Sequence, residues 1–120
     1  MLNIKEIIQA SKGSLIQGDT EKIAKGYKID SRIIENDDFY IPMKGEKVDG
    51  HIFIKSVAEK GGVGSFVQKG TDIDFEEIKK VSPNFALIEV EDTLTAMQDI
   101  ARFNREKHMD IESISITGSV

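Results

Sequence analysis

The spacing of hydrophobic residues near the amino terminus is helical. Ile4 and Ile7 lie one turn apart within "NIKEIIQAS", as on the buried face of an amphipathic helix. Asn3 is followed three residues later by Glu6, which is the pattern of a capping box at a helix start. We therefore predict a short first helix that Gly13 ends.

From residue 14 to residue 44 the pattern changes to short apolar runs separated by turn residues. The runs are "SLIQG", "IAKGYKIDSR" and "DDFYIPMK", and the turns between them are Gly18-Asp19 and Asn36-Asp37. Runs of this length bounded by Gly, Asn and Asp are typical of strands. We expect these early strands to pair antiparallel.

Strands and helices alternate in the second half of the chain. "IFIKSVAEKGG" places Phe53, Val57 and Ala58 on one helix face, and "GVGSFVQ" follows as a buried strand. "DFEEIKKV" and "FALIEV" repeat this order, and Asp92 can cap a long last helix, "DTLTAMQDIARFNREKH". The alternation predicts an α/β fold in which a mixed sheet is flanked by helices.

The length of 120 residues suits one domain. We predict that residues 1–110 form this domain and that residues 111–120 are the first strand of a further domain. An apolar strand without a neighbour is an exposed edge. We therefore expect residues 113–120 either to fray or to pair with another copy.

Composition excludes several classes of protein. The 39% hydrophobic and 31% charged residues are typical of a soluble protein, and the chain has no apolar run of the roughly 20 residues that span a bilayer. Lys5 and Glu6 interrupt the place of a signal peptide, so we expect a cytoplasmic protein without a membrane partner. A net charge of −5 argues against nucleic-acid binding, and the absence of cysteine with only two histidines argues against a metal site.

The first candidate for ligand binding is the triplet Asp30-Ser31-Arg32 at a strand end. The hydroxyl of Ser31 and the forked guanidinium of Arg32 together could grip a phosphate. The structural alternative is an Asp30–Arg32 ion pair with Ser31 in a turn, and the local pattern by itself favours this alternative.

The second candidate is the loop "MKGEKVDGH". Gly45 and Gly50 permit close backbone approach to an anion, Lys44 adds charge, and His51 offers a polar edge. The alternative is an ordinary loop in which Asp49 and Gly50 form a turn and His51 lies on the surface.

The third candidate is the ending "SISITGSV". Alternating apolar residues lead into Thr117, Gly118 and Ser119, as a strand leads into a phosphate-binding loop. The Gly-Lys-Ser/Thr half of such a loop is not in the sequence. By spacing alone, a frayed tail is the favoured interpretation.

Taken in order, these motifs resemble the amino-terminal region of the Mur ligases, the ATP-dependent enzymes that build the peptide of the bacterial cell-wall precursor. The likeness runs from about Ile29 to Val120 and includes "DSR", "MKGEKVDGH" and "ITGSV". The sequence departs from the family pattern at Ile41-Pro42 and at "GGVGSFV", which affects the packing match more than the ligand match.

The resemblance implies a site for the uridine diphosphate (UDP) end of the precursor. The residues that fall on the UDP motif are Ser31, Arg32, Lys44, Gly45, Asp49, Gly50 and His51. It also implies that Thr117, Gly118 and Ser119 begin an ATP-binding loop, and that catalytic residues lie elsewhere.

Within the family, "TLTAMQDIARFNRE" and "ITGSV" are similar to the branch that adds D-alanyl-D-alanine to UDP-N-acetylmuramoyl-tripeptide. This branch uses ATP and Mg²⁺ to activate the peptide carboxylate as an acyl phosphate. The resemblance implies a monomeric full-length enzyme in peptidoglycan synthesis and an inactive fragment here. Two alternatives stay open: the sibling ligase that adds lysine or diaminopimelate, and a non-catalytic α/β interaction module.

Overall fold

The computed structural model describes residues 2–43, 49–108 and 114–115. The helices of this part of the chain are α1 (Ile4–Ser11), α2 (Ile54–Glu59), α3 (Phe75–Val81) and α4 (Thr93–His108). The strands are β1 (Ser14–Gln17), β2 (Gly26–Lys28), β3 (Asp38–Tyr40), β4 (Gly64–Gln68), β5 (Ala86–Val90) and β6 (Ile114–Ser115). A first 3₁₀ turn, Ser31–Ile33, follows β2, and a second, Gly50–Phe53, directly precedes α2.

Helix α1 begins with the predicted capping box. The Asn3 side chain accepts a hydrogen bond from Glu6 N at 2.8 Å, and Glu6 Oε1 accepts one from Asn3 N at 3.1 Å. These two bonds satisfy amide groups that have no partner inside a helix. Lys12 ends the helix in the left-handed conformation, with a φ of 59°, one residue before the predicted Gly13.

The six strands form one mixed sheet in the order β1-β5-β4-β3-β2-β6, which confirms the predicted fold class. Strand β1 is antiparallel to β5, and the other neighbouring pairs are parallel. The prediction that the early strands are antiparallel therefore holds for β1 and is wrong for β2 and β3, which are parallel to each other. The segment between β2 and β3 contains a 3₁₀ turn and crosses over the sheet, so β3 starts again beside β2 in the same direction.

Helices cover both faces of the sheet. Helices α1 and α4 pack together on one face, with a core that includes Tyr27, Phe39 and Phe66. Helices α2 and α3 pack on the other face, with a core that includes Tyr40 and Leu87. In the part of the chain that the structure describes, no helix is long and apolar enough to cross a membrane.

Strand β6 pairs in parallel with β2, Tyr27 opposite Ile114 and Lys28 opposite Ser115. For these two residues, the expectation of fraying or pairing with another copy is wrong. The chain leaves β2 over the α2 and α3 face and reaches β6 through α4 on the opposite face. The direction of the connections thus reverses beside β2, where open α/β sheets place their ligands, at the carboxyl ends of the strands.

A buried ion pair joins β2 to β3 on the α2 and α3 face. Lys28 Nζ lies 2.7 Å from Asp38 Oδ2, and the two side chains are 15% and 4% exposed. Glu35 N donates to the same carboxylate oxygen at 2.8 Å. Asp38 therefore anchors both the neighbouring strand and the end of the crossover segment.

Replacing Lys28 by alanine should lower the free energy of unfolding by about 3 kcal/mol, because the buried carboxylate of Asp38 would lose its counter-charge. Urea denaturation measures this change. The matched control is Lys25→Ala, since Lys25 pairs with Asp37 at 3.5 Å while 66% exposed, and exposed pairs contribute about 0.5 kcal/mol. Equal losses in the two variants would contradict this account.

Candidate functional site

A cleft of about 500 Å³ opens at the carboxyl ends of β2 and β3. One wall follows β2, and the other is formed by the segment after β3 and the second 3₁₀ turn. The lining residues are Ile29, Asp30, Ser31, Arg32, Tyr40, Met43, Gly50 and Phe53. The cleft therefore brings the first two predicted motifs together.

The wall after β2 is shaped by the Asp30 side chain. Asp30 Oδ1 accepts a hydrogen bond from Arg32 N at 2.9 Å and so caps the 3₁₀ turn that starts at Ser31. Lys60 lies at the carboxyl end of α2, and its Nζ donates to the carbonyl oxygen of Ser31 at 3.0 Å. The turn is thus held from both sides, and Ser31 is buried.

Arg32 forms an ion pair with Asp30 and is at the same time open to solvent. Its Nε and Nη2 atoms lie 3.0 and 2.9 Å from the two carboxylate oxygens, while its side chain is 86% exposed. Hydrogen bonds from Arg32 lower the pKa of Asp30 to about 2. The pairing foreseen in the structural alternative is therefore present, yet these two bonds use two of the five guanidinium N–H donors.

Gly50 and Met43 form the neck of the loop in the opposite wall, which is the point where the two ends of the loop are bonded together. The Gly50 N–H donates to the carbonyl of Met43 at 2.9 Å. A Cβ on Gly50 would lie 2.9 Å from Tyr40 Oη and 3.0 Å from Met43 N. Glycine is therefore required by close packing against the cleft wall.

The imidazole of His51 faces the interior. Its Nε2 accepts a hydrogen bond from Gln68 N at 2.9 Å, which leaves the proton on Nδ1, 2.5 Å from Asp49 Oδ1. The side chain is 1% exposed and does not line the cleft. The expectation of a surface residue is wrong, because the buried ring links Asp49 to β4.

The Tyr40 hydroxyl lies on the floor of the cleft. It donates to the carbonyl oxygen of Gly50 at 2.9 Å. Burial, reinforced by the negative charges of Asp30 and Asp49, raises the pKa of Tyr40 to about 12. The hydroxyl therefore stays protonated and remains a donor under physiological conditions.

Comparison with protein families gives a match to the model described as "Mur ligase family, catalytic domain" over residues 24–105. The match covers both cleft walls and most of the sheet. The chain belongs to the Mur ligase family.

Curated relatives include two ligases named for D-alanyl-D-alanine addition to UDP-N-acetylmuramoyl-tripeptide. The one from Treponema pallidum is 31% identical and the alignment covers 99% of this chain and 26% of the relative. The one from Bacillus subtilis is also 31% identical, with 97% and 24% covered. A 2,6-diaminopimelate ligase from Clostridium perfringens is 30% identical, with 97% and 22% covered. This Mur ligase chain spans about a quarter of the length of these relatives.

Among solved structures, the MurF enzyme of Acinetobacter baumannii superposes with a TM-score of 0.70. Its sequence is 24% identical, and the superposition covers 88% of this chain and 21% of the other. At this identity the likeness supports the fold alone. The sheet and helices described above are thus those of a Mur ligase domain.

The structure places the predicted site residues of this Mur ligase in three groups. Ser31, Arg32 and Gly50 line the cleft, whereas Asp49 and His51 are in contact with each other and are not lining residues. Other predicted residues lie outside the described part of the chain: Lys44, Gly45, Thr117, Gly118 and Ser119. In the described part, no group of three or more His, Asp or Glu side chains could hold a metal ion.

Three lining residues lie outside the predicted motifs, Ile29, Tyr40 and Phe53, and Met43 was part of the second motif without a role of its own. Phe53 was assigned to the buried face of α2, but it ends the second 3₁₀ turn and is 38% exposed. Apolar residues carry no chemical signature in a sequence, so their role depended on knowing which strand ends are adjacent. The signal available in the sequence was the hydroxyl of Tyr40, a polar group in a predicted strand.

The Asp30 carboxyl should titrate at about pH 2 in the wild type and at a higher pH in Arg32→Ala, because the Arg32 side chain is the main cause of its lowered pKa. The backbone N–H of residue 32 still donates to Asp30 in the variant, so the pKa should stay below 3.8. Carbon-detected NMR of the side-chain carboxyl measures this pKa directly. Lys60→Ala is the control, since Lys60 is the weakest of the contributions. A pKa that stays near 2 in Arg32→Ala would contradict the pairing. The pair's contribution to stability is present above pH 3.8 and is lost as the pH falls through 2.

Proposed function

We propose that this chain is the UDP-precursor-binding part of the Mur ligase that adds D-alanyl-D-alanine to UDP-N-acetylmuramoyl-tripeptide. The observation that carries the proposal is the cleft of about 500 Å³ that Ser31, Arg32 and Gly50 line. Relatives named for this reaction, aligned over nearly the whole chain, give the proposal its substrate.

The two kinds of surface in the cleft suit the two parts of a nucleotide. The exposed guanidinium of Arg32 offers paired N–H donors to a diphosphate. Ile29, Met43 and Phe53 provide an apolar surface against which a pyrimidine base can pack. A ligand with a planar base and two phosphates fits this division better than a purely apolar or purely ionic ligand.

An anion can bind here although the chain carries a net charge of −5. Lys60 reaches the Ser31 carbonyl, so a second cation lies at the same wall as Arg32. Asp30 and Arg32 form a pair that is neutral overall, so the net positive charge at this wall comes from Lys60. Local groups, rather than the overall charge, would then set the potential that a phosphate meets.

ATP and Mg²⁺ belong to the proposed reaction of the complete enzyme, where ATP would activate the peptide carboxylate. Thr117, Gly118 and Ser119, proposed as the start of the ATP loop, lie outside the described residues. Residues 1–120 lack the Gly-Lys-Ser/Thr segment of a phosphate loop. We therefore propose that this chain binds the precursor and does not itself turn over ATP.

Binding of UDP or UDP-N-acetylmuramic acid should raise the melting temperature of the wild-type chain, because a ligand of the native state stabilises it. Arg32→Ala should weaken this binding by about 1.5–3 kcal/mol, the range for hydrogen bonds to a charged group. Isothermal titration calorimetry measures the difference. The same comparison in the complete protein shows whether other domains add affinity.

Arg102→Ala is the matched control for this experiment. Arg102 is also exposed and also pairs with a nearby carboxylate, Asp99, at 3.0 Å, but it lies on α4. The control should bind UDP as the wild type does. If both variants bind equally well, Arg32 is structural and the proposed site is wrong, and if no variant responds to UDP the chain is better described as an interaction module.

A second candidate is the sibling ligase that adds 2,6-diaminopimelate. The observation in its favour is the 30% identity to the Clostridium perfringens diaminopimelate ligase over 97% of this chain. Assaying the complete protein with UDP-N-acetylmuramoyl-dipeptide plus diaminopimelate, and with the tripeptide plus D-alanyl-D-alanine, separates the two. We expect product with the tripeptide, and product with the dipeptide alone would reverse the assignment.

A further inference from the structure

Tyr40 ties the far wall of the cleft to the end of β3 through one hydroxyl group. It is the last residue of β3 and is 1% exposed. Its Oη donates to the carbonyl oxygen of Gly50 in the far wall at 2.9 Å. Ser31 and Arg32 line the near wall of the same cleft. The hydroxyl therefore holds one of the two segments proposed to contact the ligand.

The bond to Gly50 acts on a residue that is already restrained on its other side. Gly50 N is bonded to the carbonyl of Met43, and Gly50 O to Tyr40. Both polar groups of this peptide unit are thus satisfied within the wall. Breaking the Tyr40 bond would free the Gly50 carbonyl and let the neck of the loop move away from β3.

The hydroxyl of Tyr40 is needed for its bond to Gly50. Phenylalanine would fill nearly the same volume but would leave the Gly50 carbonyl without this donor. The Tyr40 ring belongs to the core that includes Ile54 and Val57, where an apolar ring suffices. Tyr40 also lines the cleft, so the effect of losing the hydroxyl is local to the candidate site.

We propose that Tyr40 is a positioning residue for ligand binding, whose hydroxyl holds the wall that contains Met43 and Gly50 at a set distance from Ser31 and Arg32. This inference rests on the proposed function, because the ligand is the UDP group assigned to the cleft. Tyr40 acts through Gly50 and makes no direct contact with the ligand in this scheme.

The test is Tyr40→Phe in the 120-residue chain. We expect UDP to bind roughly five- to tenfold more weakly by calorimetry, as for the loss of one hydrogen bond. We also expect faster hydrogen exchange at the Gly50 amide, measured by NMR, because the neck of the loop opens more often. The exchange measurement needs no ligand.

Tyr27→Phe is the matched control. Tyr27 is equally buried but belongs to the core on the opposite face of the sheet. Losing its hydroxyl should change neither UDP affinity nor Gly50 exchange, whatever its effect on melting temperature. If the role of Tyr40 is merely structural, Tyr40→Phe will have a lower melting temperature than the wild type and an unchanged UDP dissociation constant.

The outcomes separate this inference from the proposed function. If the wild type binds UDP and Tyr40→Phe binds it within twofold of the wild type, the positioning role is overturned while the site stands. If the wild type does not bind UDP, the proposed function fails and the ligand role of Tyr40 fails with it. Unchanged Gly50 exchange in Tyr40→Phe overturns the positioning role under either result.

Discussion

The candidate site depends on the parallel pairing of β2 with β3. Parallel neighbours end at the same edge of a sheet, so the segments that follow them must meet there. The buried Lys28–Asp38 pair joins these strands within the sheet, and Asp38 also holds the crossover through Glu35 N. An antiparallel pairing would have placed the Asp30–Arg32 turn and the Gly50 neck at opposite ends of the sheet.

Side-chain hydrogen bonds turn this shared edge into a defined cleft. Asp30 caps one turn, and Asp49 caps the other by accepting from His51 N at 3.0 Å. Both aspartates precede a 3₁₀ turn and thereby determine where the chain bends. Carboxylates in an anion site are unfavourable unless they are paired. Here, Asp30 is paired with the charged Arg32, and Asp49 accepts a hydrogen bond from the neutral His51 ring.

His51 belongs to the second motif and has a structural role that the motif did not reveal. Its ring connects Asp49 to the backbone of Gln68, and the Gln68 side chain in turn accepts from Thr93 N at the start of α4. The 3₁₀ turn in the far wall is therefore attached to β4 and, through Gln68, to α4. In this Mur ligase domain, such contacts behind the cleft maintain the geometry of the residues in front.

The sequence by itself determined the local elements. The Asn3–Glu6 capping box and the helical spacing of α1, together with the apolar runs that became β4 and β5, depend on neighbours a few residues apart. The motif order also indicated the family. Tertiary structure alone decided the parallel direction of β3, the inward ring of His51 and the cleft surface of Phe53. Each of these depends on contacts between segments distant in the chain, which hydrophobic spacing does not encode.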